Sequence, residues 1–285
     1  MAQNMVAFSL PKIGEAHSTN QDRFARSGDG RLIALADGAG SSLYPGQWAE
    51  LLVKSFCHSP DDPIQTLRQS YQEWLKLPQA QWRQYYLEKL QSPNRKWWQG
   101  GSQLKACGFS TFLGLRLIGD RQQGQWQAVA IGDSCLFKLA AKTHHLSVFP
   151  SKTAQSFKCT TQCFASLPEY ASFAPQFAEG EYQAGDIFLL ATDALSHWLL
   201  SNYERQAEEW KQWFGIRASK DFTYALADLR NQKQIQNDDT TMILLNVCSE
   251  KKKSCQNTDP TLELKTTAEL PQIQAKSILT AAREE

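Results

Sequence analysis

Short, unbroken apolar runs recur along the chain, and several of them end in a carboxylate. Leu32-Ile33-Ala34-Leu35-Ala36 runs into Asp37-Gly38-Ala39-Gly40, Ala128-Val129-Ala130-Ile131-Gly132 into Asp133, and Ile187-Phe188-Leu189-Leu190-Ala191-Thr192 into Asp193. Runs of this length bounded by turn residues predict buried strands. Further strands are expected at 5–9, at an edge, at 108–118 paired with 126–132, at 135–140 and 145–149, and at 240–247. Helical spacing follows Pro45-Gly46, where Trp48, Leu51, Leu52, Ser55 and Phe56 fall near one face. A second helical segment aligns Ile64, Leu67, Tyr71, Trp74 and Leu75, and a third, from Gln81, aligns Trp82, Tyr85, Tyr86 and Leu90. This aromatic-rich helical region spans about 60–105 and reaches Trp97-Trp98. Its rings are expected to bury the helices against the body of the fold, and the region is also a candidate for partner or substrate choice. Helical patterns return at 193–200, 203–214 and 219–231. Between 151 and 181 the pattern is poor and suits short strands, loops and a flap, before a turn at 182–186. The polar stretch 249–285, which opens with Lys251-Lys252-Lys253, is expected to be a solvated tail behind a body of 1–248, with a short helix near 275–282.

Composition narrows the class. A chain of 285 residues with 42% hydrophobic residues and nine Trp can bury one large core. The formal charge of +1 gives no basic field for nucleic acid. No apolar run approaches the roughly 20 residues of a membrane helix, and Met1–Leu10 lacks the pattern of a signal peptide. Seven cysteines without a C-x-x-C pair point to reduced thiols in a cytoplasmic protein rather than to a disulfide framework or a zinc site. His144 and His145 would point to opposite faces of a strand and are expected at the surface or in a turn.

The chemistry lies in the aspartates. An Asp-Gly at a strand end is by itself an ordinary turn. Here Asp37, Asp133, Asp193 and Asp238 all stand at strand ends, with Asp22 just upstream of the first long strand. Gathered together they would repel one another unless a cation lay between them. Oxygen donors of this kind suit a hard divalent ion, Mg²⁺ or Mn²⁺.

The order Asn20-Gln21-Asp22, Ala36-Asp37-Gly38-Ala39-Gly40, Gly108-Phe109-Ser110-Thr111, Ile131-Gly132-Asp133-Ser134, Ala191-Thr192-Asp193-Ala194 and Asp238-Asp239-Thr240-Thr241 resembles the metal-dependent protein serine/threonine phosphatases of the 2C type. The likeness covers roughly 5–248 and is strongest to a bacterial branch with Asn-Gln-Asp in the first motif. It implies an α+β fold in which two stacked antiparallel sheets are flanked by helices, an α-β-β-α sandwich, and the coarse pattern of strands and two helix groups agrees. It further implies that 1–248 is a catalytic domain hydrolysing phosphoserine and phosphothreonine on proteins, with a water bridging two metal ions as nucleophile. The phosphorylated partner would be a Ser/Thr kinase or its targets.

By the same resemblance Asp37 bridges two Mn²⁺ or Mg²⁺ ions and Gly38 offers its backbone carbonyl to one. Asp193 and Asp238 bind the other, Asp22 holds metal-bound waters, and Asp133 joins Asp193 around a third, weaker ion. Three positions depart from the family pattern. His17 stands where an arginine usually clasps the substrate phosphate, and could bind phosphate or donate a proton. Gln21 replaces a carboxylate, and Ala194 replaces a glycine. Taken together, these departures leave one alternative, a catalytically weak or dead module that binds phosphoproteins or a partner; a metal phosphatase for small molecules is a third reading, against which the long helical region at 60–105 argues.

Overall fold

Residues that alternate along the central strands face two different cores, and this explains why those strands read as continuous apolar runs rather than as an alternation. In the computed structural model, which describes residues 4–91, 107–120, 122–150, 153–158, 161–170 and 173–247, the elements follow in this order. They are β1 (Asn4–Leu10), β2 (Arg23–Arg26), β3 (Leu32–Ala36), α1 (Pro45–Cys57), α2 (Pro63–Gln91), β4 (Phe109–Ser110), β5 (Phe112–Gly119) and β6 (Gln123–Ile131). Then come β7 (Cys135–Leu139), β8 (Leu146–Phe149), β9 (Phe164–Ala165), β10 (Gln176–Gln183), β11 (Ile187–Ala191), α3 (Asp193–Glu204), α4 (Ser219–Asn231) and β12 (Thr240–Asn246).

Two antiparallel five-stranded sheets result, ordered β1-β12-β11-β7-β8 and β10-β6-β5-β3-β2, with β4 and β9 forming a small pair. Ile33, Leu35, Leu113, Leu115 and Ala130 of one sheet meet Leu136, Phe188, Leu190, Ile243 and Leu245 of the other in the central core. The alternate residues Ala34, Ala36, Phe112, Val129 and Ile131 pack outward against α1 and α2, through Trp48, Leu52, Phe56, Trp74 and Trp82. On the opposite side Phe137, Leu189, Ala191, Met242 and Leu244 pack against α3, α4 and the 3-10 helix Glu209–Gly215. The architecture is therefore α+β, two antiparallel sheets flanked by helices. Among the described residues no helix is long and apolar enough to cross a membrane.

The structure revises three local expectations. The helical region after Pro63 breaks at Ser70, which is extended (φ −161°, ψ 102°), not between 76 and 81. Ser70 Oγ accepts the N–H of Glu73 at 3.2 Å and so restarts the helix as a cap, a signal present in the sequence as Ser70-x-x-Glu73. Pro78 then lies inside the second stretch. The stretch around 203–214 is not one α-helix: α3 ends at Glu204, Gln206 takes a left-handed φ of 57°, and a 3-10 helix follows. Within the poorly patterned 151–181, Gln176–Gln183 is a full strand paired along β6 from Ala130 to Gln123, so Tyr182 and Gln183 belong to it rather than to a turn. Its sheet-edge position permits a polar sequence. The aromatic residues of 64–90 do bury the helices, Trp82 completely. Trp97-Trp98 and the tail from 249 lie outside the described residues.

At the turn into β11, Asp186 accepts the N–H groups of Ala141 (2.9 Å) and Gln183 (3.2 Å) and pairs with Lys138 Nζ at 2.8 Å. Burial pushes its pKa up, but the bonds from Lys138, Ala141 and Gln183 win and hold it below the ordinary value. Asp186→Ala should cost about 2–4 kcal/mol in urea denaturation near neutral pH. A folded pKa below the unfolded one gives stability that is present above about pH 4 and lost as pH falls further, so the gap between wild type and variant should close in acid.

Candidate metal centre and active site

The strand register sends the carboxylates to one end of the sandwich. Ala36 pairs with Arg23, so the end of β3 lies beside the start of β2, placing Asp37 near Asp22. Ala191 pairs with Met242, so Asp193 after β11 adjoins Asp238 before β12. Ile131 pairs with Phe112, which brings Asp133 beside Thr111. Asp37, Asp133, Asp193, Asp238 and Asp239 together line a cleft of about 190 Å³, with Lys12, Gln21, Gly38, Ala39, Gly40, Thr111, Thr161 and Cys163. A larger cavity, about 600 Å³ around Asp120, Lys138 and Asp186, lies at the far end of β6, away from these residues.

Each carboxylate is held through its backbone or a neighbour. The Asp37 N–H donates to Thr111 Oγ1 at 3.1 Å, and its carbonyl accepts the Thr111 N–H at 2.9 Å and Ser110 Oγ at 2.8 Å. Gly38 forms a β-bridge with Ser110, and a Cβ there would lie 2.6 Å from the backbone of Pro45, the first residue of α1. That position must be glycine for steric reasons. Asp193 occupies the first turn of α3, where the helix dipole favours negative charge. Thr161 Oγ1 donates to Asp133 at 2.6 Å. Asp22 lies buried beneath the cleft: its Oδ2 accepts from Thr192 Oγ1 at 3.2 Å, while Oδ1 is buried without a hydrogen-bond partner.

This crowding makes charge expensive. Burial, with Asp133 and Asp238 adding to it, pushes Asp193 up to about 7. Asp22 is likewise raised to about 7, first by burial and then by Asp239 and Asp238. Asp37 is raised well above the usual carboxylate range by burial and by Asp22, Asp193, Asp133 and Asp238. Among the described residues no three acidic, histidine or cysteine groups already converge at metal-ligand spacing. Like charges stand apart until something positive lies between them. The donor set is all oxygen, one buried carboxylate oxygen is unsatisfied, and the glycine backbone beside Asp37 is stripped of a side chain. These features fit a hard divalent cation.

The protein phosphatase 2C family model matches residues 14–256 of the chain. The chain belongs to that family. Among solved structures it is similar to the serine/threonine phosphatase PstP/Ppp of Mycobacterium tuberculosis, at 16% identity over 87% of this chain and 100% of that one, with a TM-score of 0.56. The catalytic domain of PstP in complex with two manganese ions is similar at 18% identity over 86% of this chain and 98% of that one, TM-score 0.53. PppA, a regulatory component of the T6SS in Pseudomonas aeruginosa, is similar at 15% identity over 86% and 98% of the two chains, TM-score 0.53. At such identities these likenesses show the fold alone. No curated protein sequence matches the chain.

Within this phosphatase 2C chain, the departures from the family pattern have distinct settings. His17 is exposed on the 3-10 helix His17–Thr19 and does not line the cleft. Gln21 Oε1 accepts the N–H of Gly46 at 2.9 Å and so supplies the cap that Tyr44 does not give to α1. Ala194 adopts no positive φ, so its position does not need glycine. Two cleft residues escaped the sequence pattern. Asp239, buried, accepts the N–H groups of Lys12 (3.0 Å) and Gln21 (2.7 Å). Lys12 places Nζ 3.0 Å from Asp238, and that bond raises its pKa. The signal for both was long-range, the pairing of Leu10 with Thr240, which carries Lys12, two residues past β1's end, to the loop before β12.

Two outcomes follow from the packing. Gly38→Ala should lose about 2–3 kcal/mol of stability, read by urea denaturation, because the new methyl meets backbone rather than a yielding side chain. With divalent ions chelated, Asp22 and Asp193 carry folded pKa values of about 7 against about 4 unfolded, so the folded chain retains protons that the unfolded chain gives up. Their contribution is complete below about pH 4 and lost as pH rises through about 7. Thermal melts in EDTA should therefore fall over that window, and Mn²⁺ should flatten the decline.

Proposed function

We propose that the chain is a Mg²⁺- or Mn²⁺-dependent phosphatase that hydrolyses phosphoserine and phosphothreonine on proteins, reversing a Ser/Thr kinase. The observation that carries this proposal is the convergence of Asp37, Asp133, Asp193 and Asp238 on one cleft of a phosphatase 2C chain. The residues that would hold the cations are Asp37, the Gly38 carbonyl, Asp193 and Asp238, with Asp133 beside Asp193. When bound, such ions acidify a water and offset phosphoryl charge. Asp37, clamped through its backbone to Ser110 and Thr111, fixes the centre of the site. Asp22, beneath it, has an uncommitted carboxylate oxygen able to accept a proton or order a water. Phosphate monoesters hydrolyse extremely slowly unaided, so this arrangement has a very large barrier to lower.

The domain of 1–248 is the proposed catalytic unit. Among the described residues the thiols of Cys57, Cys107 and Cys163, none in a disulfide, support a cytoplasmic setting. A second reading, a module that binds phosphoproteins without turnover, is favoured by the exposed position of His17. Hydrolysis of a phosphothreonine peptide under a Mn²⁺ titration separates the two. The phosphatase should need metal, and Asp37→Asn or Asp193→Asn should lower turnover at least about a hundredfold, the upper range for losing even an outer partner of a metal ligand. Peptide binding with no turnover at any Mn²⁺ level would select the binding module, and full activity in Asp37→Asn would overturn the mechanism.

A further inference from the structure

We propose that Lys12 is the side chain that binds the phosphate of the substrate by a charge-assisted contact, a role that rests on the phosphatase reading above and assigns its missing cationic contact. A phosphate monoester brings a charge of about −1.5 to −2 into the cleft. The cleft wall already carries five carboxylates, Asp37, Asp133, Asp193, Asp238 and Asp239. Two divalent ions would supply four positive charges, leaving the wall still net negative toward an incoming dianion. With two ions bound, a cation of the chain's own would offset this charge, and Lys12 is the one positively charged residue among the described residues that line the cleft.

The neighbouring cations are committed elsewhere. Arg230 donates to the carbonyl oxygens of Pro11 and Asp238 and to Thr240 Oγ1, behind the loop. Arg23 donates to the carbonyls of Asn20 and Asp22. His17 stands outside on its exposed 3-10 turn. Lys12, by contrast, is anchored where it is needed. Its N–H donates to Asp239 at 3.0 Å, the next N–H, of Ile13, donates to Asn237 Oδ1 at 2.8 Å, and the Pro11 carbonyl accepts from Arg230 at 2.9 Å. The first two bonds pin the backbone of 12–13 to the loop before β12 and the third ties Pro11 to α4, while the Lys12 side chain stays 34% exposed at the rim. A long stem and three rotatable donors let its ammonium turn from Asp238 to an anion a few ångströms away.

The test compares wild type, Lys12→Met and Lys12→Arg in the full chain loaded with Mn²⁺. The readouts are calorimetric binding of inorganic phosphate, calorimetric binding of Mn²⁺, and KM with kcat for a phosphothreonine peptide. Lys12→Met should weaken phosphate binding about tenfold to a hundredfold and raise KM, with Mn²⁺ still bound, since a charge-assisted contact to the anion is lost. Lys12→Arg should restore most of both. Wild-type phosphate affinity and KM in Lys12→Met, or a defect that Lys12→Arg does not repair, would overturn the assignment while leaving an active phosphatase. Loss of Mn²⁺ binding in Lys12→Met would overturn it too, by making Lys12 a support for the metal site. A wild-type protein that binds Mn²⁺ but neither turns over peptide nor binds phosphate would instead remove the phosphatase reading itself.

Discussion

Carboxylates of like charge gathered at one end of a doubly buried sandwich are the constraint on which the rest of this structure depends. Asp22, Asp37 and Asp193 all resist ionisation, chiefly because burial strips them of water and then because each feels the others. Such an arrangement is costly to folding, and a chain that keeps it must use it. A cleft with one lysine among five carboxylates is unfinished without further positive charge. The proposed phosphoryl hydrolysis at a divalent centre would supply a reason for that cost, since the same donors that repel one another would grip hard cations.

The fold makes this crowding possible because every carboxylate is mounted on rigid structure. β3, β6 and β11 are covered on both faces, one by the partner sheet and one by helices, so their ends cannot drift. Antiparallel pairing then aligns ends from distant parts of the chain. Lys12, Asp22, Asp37, Asp133, Asp193 and Asp238 come from separate segments, yet five of these six line one cleft, with Asp22 buried beneath. Small features complete the mounting: the glycine at 38 that lets α1 begin against the Asp37 loop, and Gln21 capping that helix while its N–H holds Asp239.

Much of this was legible in the sequence because strong local signals coincide with the residues that line the cleft. Unbroken apolar runs ending in aspartate gave both the strands and the candidate donors, and the register gathers those donors. Less legible were features decided by tertiary pairing. The polar strand Gln176–Gln183 has no apolar rhythm because it lies at an edge, and only its partner β6 defines it. The break at Ser70 had a capping signature in Glu73 that the prolines on either side obscured. His17, placed by motif alignment, stands exposed, whereas Lys12 and Asp239 reach the cleft through the pairing of β1 with β12, invisible to any local window.

The central claim, that these carboxylates form a divalent-cation centre, is tested most directly by calorimetric titration of Mn²⁺ near neutral pH in two buffers of different ionisation enthalpy, with wild type beside Asp37→Asn. Carboxylates raised to about 7 hold protons that a cation must displace, so wild type should bind at least two Mn²⁺ with net proton release. Asp37→Asn should lose most of that binding and of the released protons. Absence of Mn²⁺ binding by the folded protein at millimolar metal, or binding unchanged by Asp37→Asn, would contradict the account.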